Sequence, residues 1–280
     1  MPKSTPADYL SFNEYSEALG VFQAVVGLLL YEFARYGAGY RDTIIRNTLA
    51  RTHVMAGAVF TLWKADNYQD CWILYRSLMD RLFHLCDLNK RDEFELFEAW
   101  SLLQQYHAVN RIKSDPEFRF AAEASPVSPT QKDRVELLLE SPPRWRRPKA
   151  QEVAKDLGMG FLYRFGYDYA STHVHPMAND GEQDFYRITK LEPVPPYPDQ
   201  RVVLSDTILI ATTIVQEGLS ASTLYWRRVV YDFIDGLRHF LGDGNPVYRQ
   251  SFVGLGRMVE QKIPLCERKP ADQSTERTSG

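Results

Sequence analysis

The chain has 280 residues, of which 44% are hydrophobic and 13% aromatic, so it is long enough to bury one large hydrophobic core. A formal charge of −3 excludes a global attraction to nucleic acid or to an anionic membrane, and any nucleic-acid contact would need a local basic patch. The three scattered cysteines, Cys71, Cys86 and Cys266, exclude a disulfide framework and favour a reducing environment.

The sequence predicts neither a secretory signal nor a membrane span. The start of the chain, Met1-Pro2-Lys3-Ser4, lacks the charged-then-apolar pattern of a signal peptide. The most apolar run, from Val21 to Tyr31, is shorter than a bilayer requires and contains Gln23. We therefore expect a cytoplasmic protein with no membrane contact.

Helical periodicity dominates the chain, because apolar residues recur at intervals of three and four whereas the alternation typical of strands is nearly absent. The first helix is predicted to begin with a capping box formed by Ser11 and Glu14. It is predicted to end near Tyr36, before a glycine-rich break. The next helices are predicted from Asp42 to Lys64, from the Asp66-Asn67 break to about Cys86, and from Asp92 to about Lys113.

The middle of the chain is less regular because several prolines interrupt it. Short helices are predicted at 117–124 and 130–139. The local basic cluster Arg144-Trp145-Arg146-Arg147 could hold a phosphate or could simply be solvated. Further helices are predicted at 160–175, 205–241 and 247–262, and a loop rich in proline and acidic residues is predicted at 192–199.

The predicted fold is all-α, a single-domain bundle of about eight to nine helices. Residues 1–10 are predicted to be a flexible N-terminus and 11–265 the helical domain. Residues 266–280 are predicted to be a disordered tail because they are polar and lack apolar periodicity. No internal repeat is visible.

The segment 160–175 carries a narrow polar stripe on an otherwise apolar helix, formed by Arg164, Asp168, Ser171 and His175 at helical spacing. A helix this apolar is predicted to be mostly buried, with the stripe as either a thin solvent edge or the wall of a pocket. In the functional interpretation, Asp168 or Ser171 fixes the imidazole tautomer and His175 transfers protons. In the structural interpretation, His175 only complements the helix dipole.

A second polar stripe lies on the third helix, where Arg76, Asp80 and His84 follow one another at intervals of four. Arg76 lies at the edge of the apolar arc, a position suited to holding an anion. The same spacing also predicts an ordinary exposed ion pair between Arg76 and Asp80.

Two stretches carry a resemblance to a known family. The stretch from Arg51-Thr52-His53 to Arg76-Ser77-Leu78-Met79-Asp80 resembles the first signature of a bacterial helical family catalogued only as a domain of unknown function, and 167–176 resembles its second. In the family, glutamate is frequent where this chain has Asp80. The resemblance covers roughly residues 43–180 and implies a helical fold with a possible site at Arg76, Ser171 and His175, but no established activity.

Several enzyme classes are excluded because their motifs are absent. The sequence has no Gly-rich phosphate loop, no GxGxxG, no HExxH, no Glu-x-x-His pair and no GxSxG elbow. His173 and His175 with Asp180 could bind a metal, but residues two apart on a helix point in nearly opposite directions. We therefore predict neither a metal nor a cofactor.

Two functional hypotheses remain. In the first, the chain is a non-catalytic helical module that senses a small ligand or binds a protein partner, a second copy of itself included. In the second, it is a metal-independent nuclease or hydrolase-like effector of the defence or toxin type. The candidate residues are His175, Ser171 and Asp168 for catalysis and Arg76, Asp80, Arg164 and Tyr167 for ligand binding.

Overall fold

The computed structural model describes residues 10–117, 129–175, 177–178, 181–191 and 201–269. Within these residues the chain is almost entirely helical, with one pair of three-residue strands. The all-α prediction is confirmed. The elements in chain order are α1 (Phe12–Tyr36), α2 (Gly39–Lys64), α3 (Tyr68–Arg91), α4 (Phe94–Ser114), α5 (Pro129–Glu140), α6 (Ala150–Asp156), α7 (Gly160–Leu162), a π-helical segment (Tyr163–Asp168), α8 (Tyr169–Ser171), α9 (Glu182–Thr189), α10 (Val202–Ala221), β1 (Leu224–Trp226), α11 (Arg228–Asp243), α12 (Tyr248–Glu260) and β2 (Cys266–Arg268).

The predicted count of eight to nine helices in one bundle is not matched. Because α7, the π-helical segment and α8 follow one another without a break, they form one composite helix, and the described residues hold eleven helices. The chain also divides into two compact units, one formed by Met1–Cys86 and Ala150–Gly280 and the other by Asp87–Lys149. The predicted helix at 117–124 and the predicted loop at 192–199 lie outside the described residues, apart from Glu117 in a turn.

The core of the first unit is built where α2 packs against α1 and α10. The capping box of α1 is confirmed: the Ser11 side chain accepts from the Glu14 backbone and Glu14 accepts from the Ser11 backbone. On α10, Gly218 allows a close approach to α2, because a Cβ at that position would lie 3.0 Å from Ile45 Cγ2 and 3.2 Å from Leu49 Cδ2. The absence of a side chain there lets the two helices pack closely.

The single helix predicted at 205–241 is wrong, because the chain leaves the helical path after Ala221. The buried carboxylate of Asp42 accepts hydrogen bonds from Thr223 N at 2.9 Å and from Thr223 Oγ1. The Ser222 hydroxyl accepts from Trp226 Nε1 at 2.9 Å. These hydrogen bonds stabilise the extended backbone that leads into β1, and α10 and α11 are therefore separate helices.

The tail predicted from residue 266 begins instead with a strand. β2 pairs antiparallel with β1, with Trp226 opposite Cys266 and Leu224 opposite Arg268. The buried carboxylate of Glu32 accepts from Leu265 N at 3.0 Å and fixes the start of this strand. Residues 270–280 lie outside the described part of the chain.

The second unit contains α4, α5 and the segment that follows α5. Trp145 is buried there, with its ring 5.0 Å from that of Phe97 and 4.6 Å from that of Trp100. Arg134 on α5 forms an ion pair with Glu98 on α4. The aromatic residue of the predicted basic cluster is therefore a packing residue, whereas Arg144, Arg146 and Arg147 are exposed.

Two helices, α1 and α10, are long and apolar enough to cross a membrane by length and composition alone. Of the most apolar stretch of α1, 44% is buried inside the protein, and of the most apolar stretch of α10, 61% is buried. Core helices of water-soluble proteins meet the same criterion, so this property of α1 and α10 assigns no location.

Candidate functional site

Arg76 on α3 is joined to the composite helix by two hydrogen bonds. Its Nε donates to Ser171 Oγ at 2.9 Å and its Nη2 donates to Tyr167 OH at 2.9 Å. The guanidinium carbon also lies 4.8 Å from the centre of the Tyr167 ring. Ser171 Oγ in turn donates to the Tyr167 backbone carbonyl at 2.8 Å, so the three residues form a closed polar cluster.

Asp80 joins this cluster through Tyr167 rather than through Arg76. The negative charge of the Asp80 carboxylate acts on the Tyr167 phenol, and no ion pair links Arg76 to Asp80 among the described residues. Burial raises the pKa of the Tyr167 phenol, the negative charge of Asp80 raises it further, and the Arg76 guanidinium partly opposes both. The phenol therefore stays protonated beside the Arg76 cation and the Asp80 carboxylate.

The π-helical segment determines which residues reach α3. It places Gly166 against α3, where a Cβ would lie 3.0 Å from Tyr75 OH and 3.2 Å from Met79 Cε. A π-helical turn holds one residue more than an α-helical turn, so it rotates the residues after it relative to those before it. Tyr167 and Ser171 thereby face Arg76, with Tyr167 also 5.9 Å from Phe83 between ring centres.

The predicted polar stripe at 164–175 is split by this change of register. Arg164 and Asp168 turn toward α6, and Ser171 turns toward α3. The predicted α-helix to His175 is also wrong, because the helix ends at Ser171 and residues 172–174 form turns. The helix is not mostly buried either, since Phe161, Phe165 and Tyr169 are exposed.

The predicted relay of Asp168, Ser171 and His175 is not formed. His175 lies beyond the helix end with an exposed side chain, and its backbone N–H donates to the Ser171 carbonyl at 3.4 Å. Among the described residues, no side-chain hydrogen bond connects His175 to Ser171 or to Asp168. The neighbouring His173 stacks on Trp72, with ring centres 6.0 Å apart.

An open groove of about 570 Å³ lies between α6 and the start of the composite helix. Its charged lining comprises Lys155, Arg164 and Asp168, all of them exposed. Tyr163 adds an aromatic ring to the groove and stacks on Tyr167, with ring centres 5.3 Å apart. The remaining lining residues are Gln151, Ala154, Gly158 and Gly160.

The sequence predicts no helix between 139 and 160, so the groove residues on α6 are missed, and the regular α-helical wheel for 160–175 does not place Tyr163 with Arg164 and Asp168. On that wheel Tyr163 belongs to the apolar face and Arg164 and Asp168 belong to the stripe with Ser171. The one available signal was Gly166, an isolated glycine inside a helical pattern, which points to a close backbone approach.

A second unexpected feature is the desolvated carboxylate of Asp206, whose charge acts on Tyr75. Burial raises the pKa of Asp206 to about 6. Burial also raises the pKa of Tyr75, and the nearby charge of Asp206 raises it further. Asp206 has no hydrogen-bond or ion-pair partner among the residues that the structure describes. Among the described residues, no group of three or more His, Cys, Asp or Glu side chains is placed to hold a metal ion.

A family model for DUF5677, a family of unknown function, matches residues 42–186, just over half of the chain. The chain belongs to this family. No match was found among curated proteins or among solved structures. The DUF5677 region contains the whole Arg76–Tyr167–Ser171 cluster and every residue that lines the groove. Asp206, whose charge raises the pKa of Tyr75, lies outside the DUF5677 region.

Proposed function

We propose that the chain is a non-catalytic ligand-sensing module whose ligand binds in the groove between α6 and the composite helix. The observation that carries this proposal is the full engagement of Ser171 and Arg76. The Ser171 hydroxyl donates its proton to the Tyr167 carbonyl and accepts from Arg76, so among the residues that the structure describes no base is hydrogen-bonded to take that proton. A hydroxyl held in this way stabilises helix packing and is not poised for nucleophilic attack.

The groove chemistry favours a small anionic ligand. Lys155 and Arg164 provide two cations, and neither forms an ion pair with a described residue. Arginine and lysine bind carboxylate and phosphate groups, arginine in a bidentate manner. Tyr163 adds an aromatic surface, and Asp168 can accept from a hydroxyl or amino group of the same ligand.

A direct contact path connects the groove to α3. Tyr163 lines the groove and stacks on Tyr167, and the Tyr167 hydroxyl accepts a hydrogen bond from Arg76 while the charge of Asp80 acts on the same phenol. A ligand that moves the Tyr163 ring therefore changes the packing of Tyr167 against α3. This coupling between the groove and α3 is the basis of the sensing role.

The test uses inorganic phosphate and a mononucleotide as probes in calorimetric titration and thermal-shift measurements. We expect at least one probe to bind the wild type and raise its melting temperature. Lys155→Glu should weaken that binding about tenfold or more, because it removes one cation and adds a repelling charge. The matched control is Lys132→Glu, an exposed lysine in the other unit, which should bind as the wild type does. Failure of both probes to bind the wild type, or equal losses in the two variants, would contradict the proposal.

The alternative is a metal-independent nuclease or hydrolase that uses Arg76 and His175. It has less support, because Arg76 is engaged by Tyr167 and Ser171 while the exposed His175 is not bonded to the proposed partners. RNA-cleavage assays of the wild type and His175→Ala distinguish the two functions. We expect no cleavage by either protein, whereas cleavage by the wild type that disappears in the variant would establish the enzyme.

A further inference from the structure

The composite helix presents a row of three exposed aromatic rings, of which the last, Tyr169, also packs edge-on against Trp72 of α3 with ring centres 5.0 Å apart. Phe161, Phe165 and Tyr169 follow one another at intervals of four and are 74%, 61% and 46% exposed. The rings of Phe161 and Phe165 contact each other, with centres 4.8 Å apart. On the opposite side, Gly166 and the fully buried Ala170 face the protein interior. We call the three rings the aromatic face.

The exposed area of the aromatic face is large for a single helix. A fully buried aromatic side chain covers about 150–250 Å², so the three rings leave about 350 Å² open at these exposures. Apolar patches of about 300–600 Å² are the largest on typical monomers and are often functional. Two such faces together bury about 700 Å² of ring surface, which falls in the range of weak, reversible interfaces.

We infer that the aromatic face binds the same face of a second copy of this chain, in an antiparallel arrangement about a two-fold axis through Phe165. In this arrangement Phe165 meets Phe165 of the partner subunit, and Phe161 meets Tyr169 of the partner subunit. A two-fold interface uses one self-complementary surface on both subunits. The three rings meet that condition because their spacing is symmetric about the middle ring.

The charges beside the aromatic face favour binding of a second copy of the chain over binding of a lipid surface or a nucleic acid. Arg164 and Asp168 are exposed on either side of the middle of the composite helix, and neither forms an ion pair with any described residue. The two-fold axis brings the arginine of each subunit toward the aspartate of the other, which gives two reciprocal ion pairs. A lipid surface or a nucleic acid would instead favour cations alone around the rings.

This inference is independent of the ligand proposal, although Arg164 and Asp168 lie at both surfaces. Lys155 lines the groove but does not belong to the aromatic face, and Phe165 belongs to the aromatic face but does not line the groove. Lys155→Glu therefore tests ligand binding alone, and Phe165→Glu tests self-association alone.

Sedimentation velocity over a wide concentration series measures the self-association directly. We expect the wild type to form a dimer reversibly with a dissociation constant in the micromolar to millimolar range. Phe165→Glu should weaken association about tenfold or more, because a charge at the centre of a packed interface is left unpaired. The matched control is Phe185→Glu on α9, an equally bulky ring that is 51% exposed, which should leave association unchanged.

Exchanging the charges of Arg164 and Asp168 gives a second test of self-association, which remains informative even if Phe165→Glu disturbs the helix. Arg164→Asp and Asp168→Arg should each weaken the dimer several-fold, and the double variant should restore it because the reciprocal pairs are reversed. A wild type that stays monomeric at every concentration, or a dimer that persists in Phe165→Glu, would overturn the inference. So would wild-type monomers that bind anionic lipid vesicles through Phe165, since the occupant would then be a membrane.

Discussion

Arg76 Nε lies 2.9 Å from Ser171 Oγ, and this hydrogen bond joins α3 to the last turn of the composite helix across 95 positions of sequence. The same guanidinium bonds the Tyr167 hydroxyl through Nη2. The planar guanidinium holds its N–H donors at fixed angles and can therefore donate to Ser171 Oγ and Tyr167 OH at the same time, whereas the ammonium group of lysine cannot reproduce this geometry. The position therefore requires arginine rather than any cation.

Arg76→Lys is expected to lower the free energy of unfolding by about 1–2 kcal/mol, because one of the two hydrogen bonds is lost and its acceptor is left partly buried. Urea unfolding followed by circular dichroism measures the change. Arg257→Lys on α12 is the matched control, since Arg257 is exposed and its substitution should stay within about 0.5 kcal/mol of the wild type. Equal stability of Arg76→Lys and the wild type would show that the cluster contributes little.

Tyr167→Phe removes the hydroxyl that accepts from Arg76 while keeping the ring that stacks on Tyr163. We expect a loss of about 1 kcal/mol in the free energy of unfolding. In the double variant with Arg76→Lys, the losses should be less than additive by about 0.5 kcal/mol or more, because both changes break the same bond. Tyr225→Phe, at an exposed tyrosine on β1, is the control, and strict additivity would contradict the coupling.

Asp206 gives the protein a pH dependence of defined sign. Burial raises its pKa to about 6 from the ordinary 3.8, so the folded state holds the proton more tightly than the unfolded state does. The contribution of Asp206 to stability is complete below pH 3.8 and is lost as the pH rises through about 6. Above that pH the folded protein carries a desolvated carboxylate.

Asp206→Asn should therefore be more stable than the wild type at pH 7.5, by about 1–3 kcal/mol. The difference should shrink as the pH falls from 6 toward 4, which urea unfolding at several pH values measures. Asp133→Asn, at an exposed aspartate in the second unit, should follow the wild type at every pH. A constant difference between Asp206→Asn and the wild type across this range would rule out Asp206 as the titrating group.

The sequence predicted the helices well where periodicity and caps agree. The Ser11–Glu14 capping box and the breaks near Gly37 and Asp66 place the ends of α1 and α2 within a few residues, because these signals are local. The break between α10 and α11 was missed because it depends on Asp42, which lies about 180 residues away and binds Thr223. The contact with this buried carboxylate does not change the local pattern of apolar residues, so the sequence around Thr223 does not predict the helix break.

Part of the candidate site could likewise be found from residue types alone. Arg76, Asp80 and Ser171 follow from their helical spacing and Tyr167 from the family resemblance, and the structure brings Arg76, Tyr167 and Ser171 together. Arg164, Asp168 and His175 were grouped with them because the wheel assumed uniform α-helical turns. The π-helical segment breaks that assumption, and it depends on tertiary packing of Gly166 against α3 rather than on local propensity.

Gly166 makes this packing testable. A Cβ at this position would lie 3.0 Å from Tyr75 OH and 3.2 Å from Met79 Cε, and the branched side chain of valine would extend further into both. We expect Gly166→Val to lower the free energy of unfolding by about 1–3 kcal/mol through overpacking. Gly20→Val on α1 is the control, because a Cβ there meets nothing within 4 Å and valine costs no more than glycine in a helix. Adding Tyr75→Phe to Gly166→Val removes the nearest clashing atom and should recover part of the loss. If the double variant is no more stable than Gly166→Val alone, contact with the Tyr75 hydroxyl is not what requires glycine in the π-helical segment.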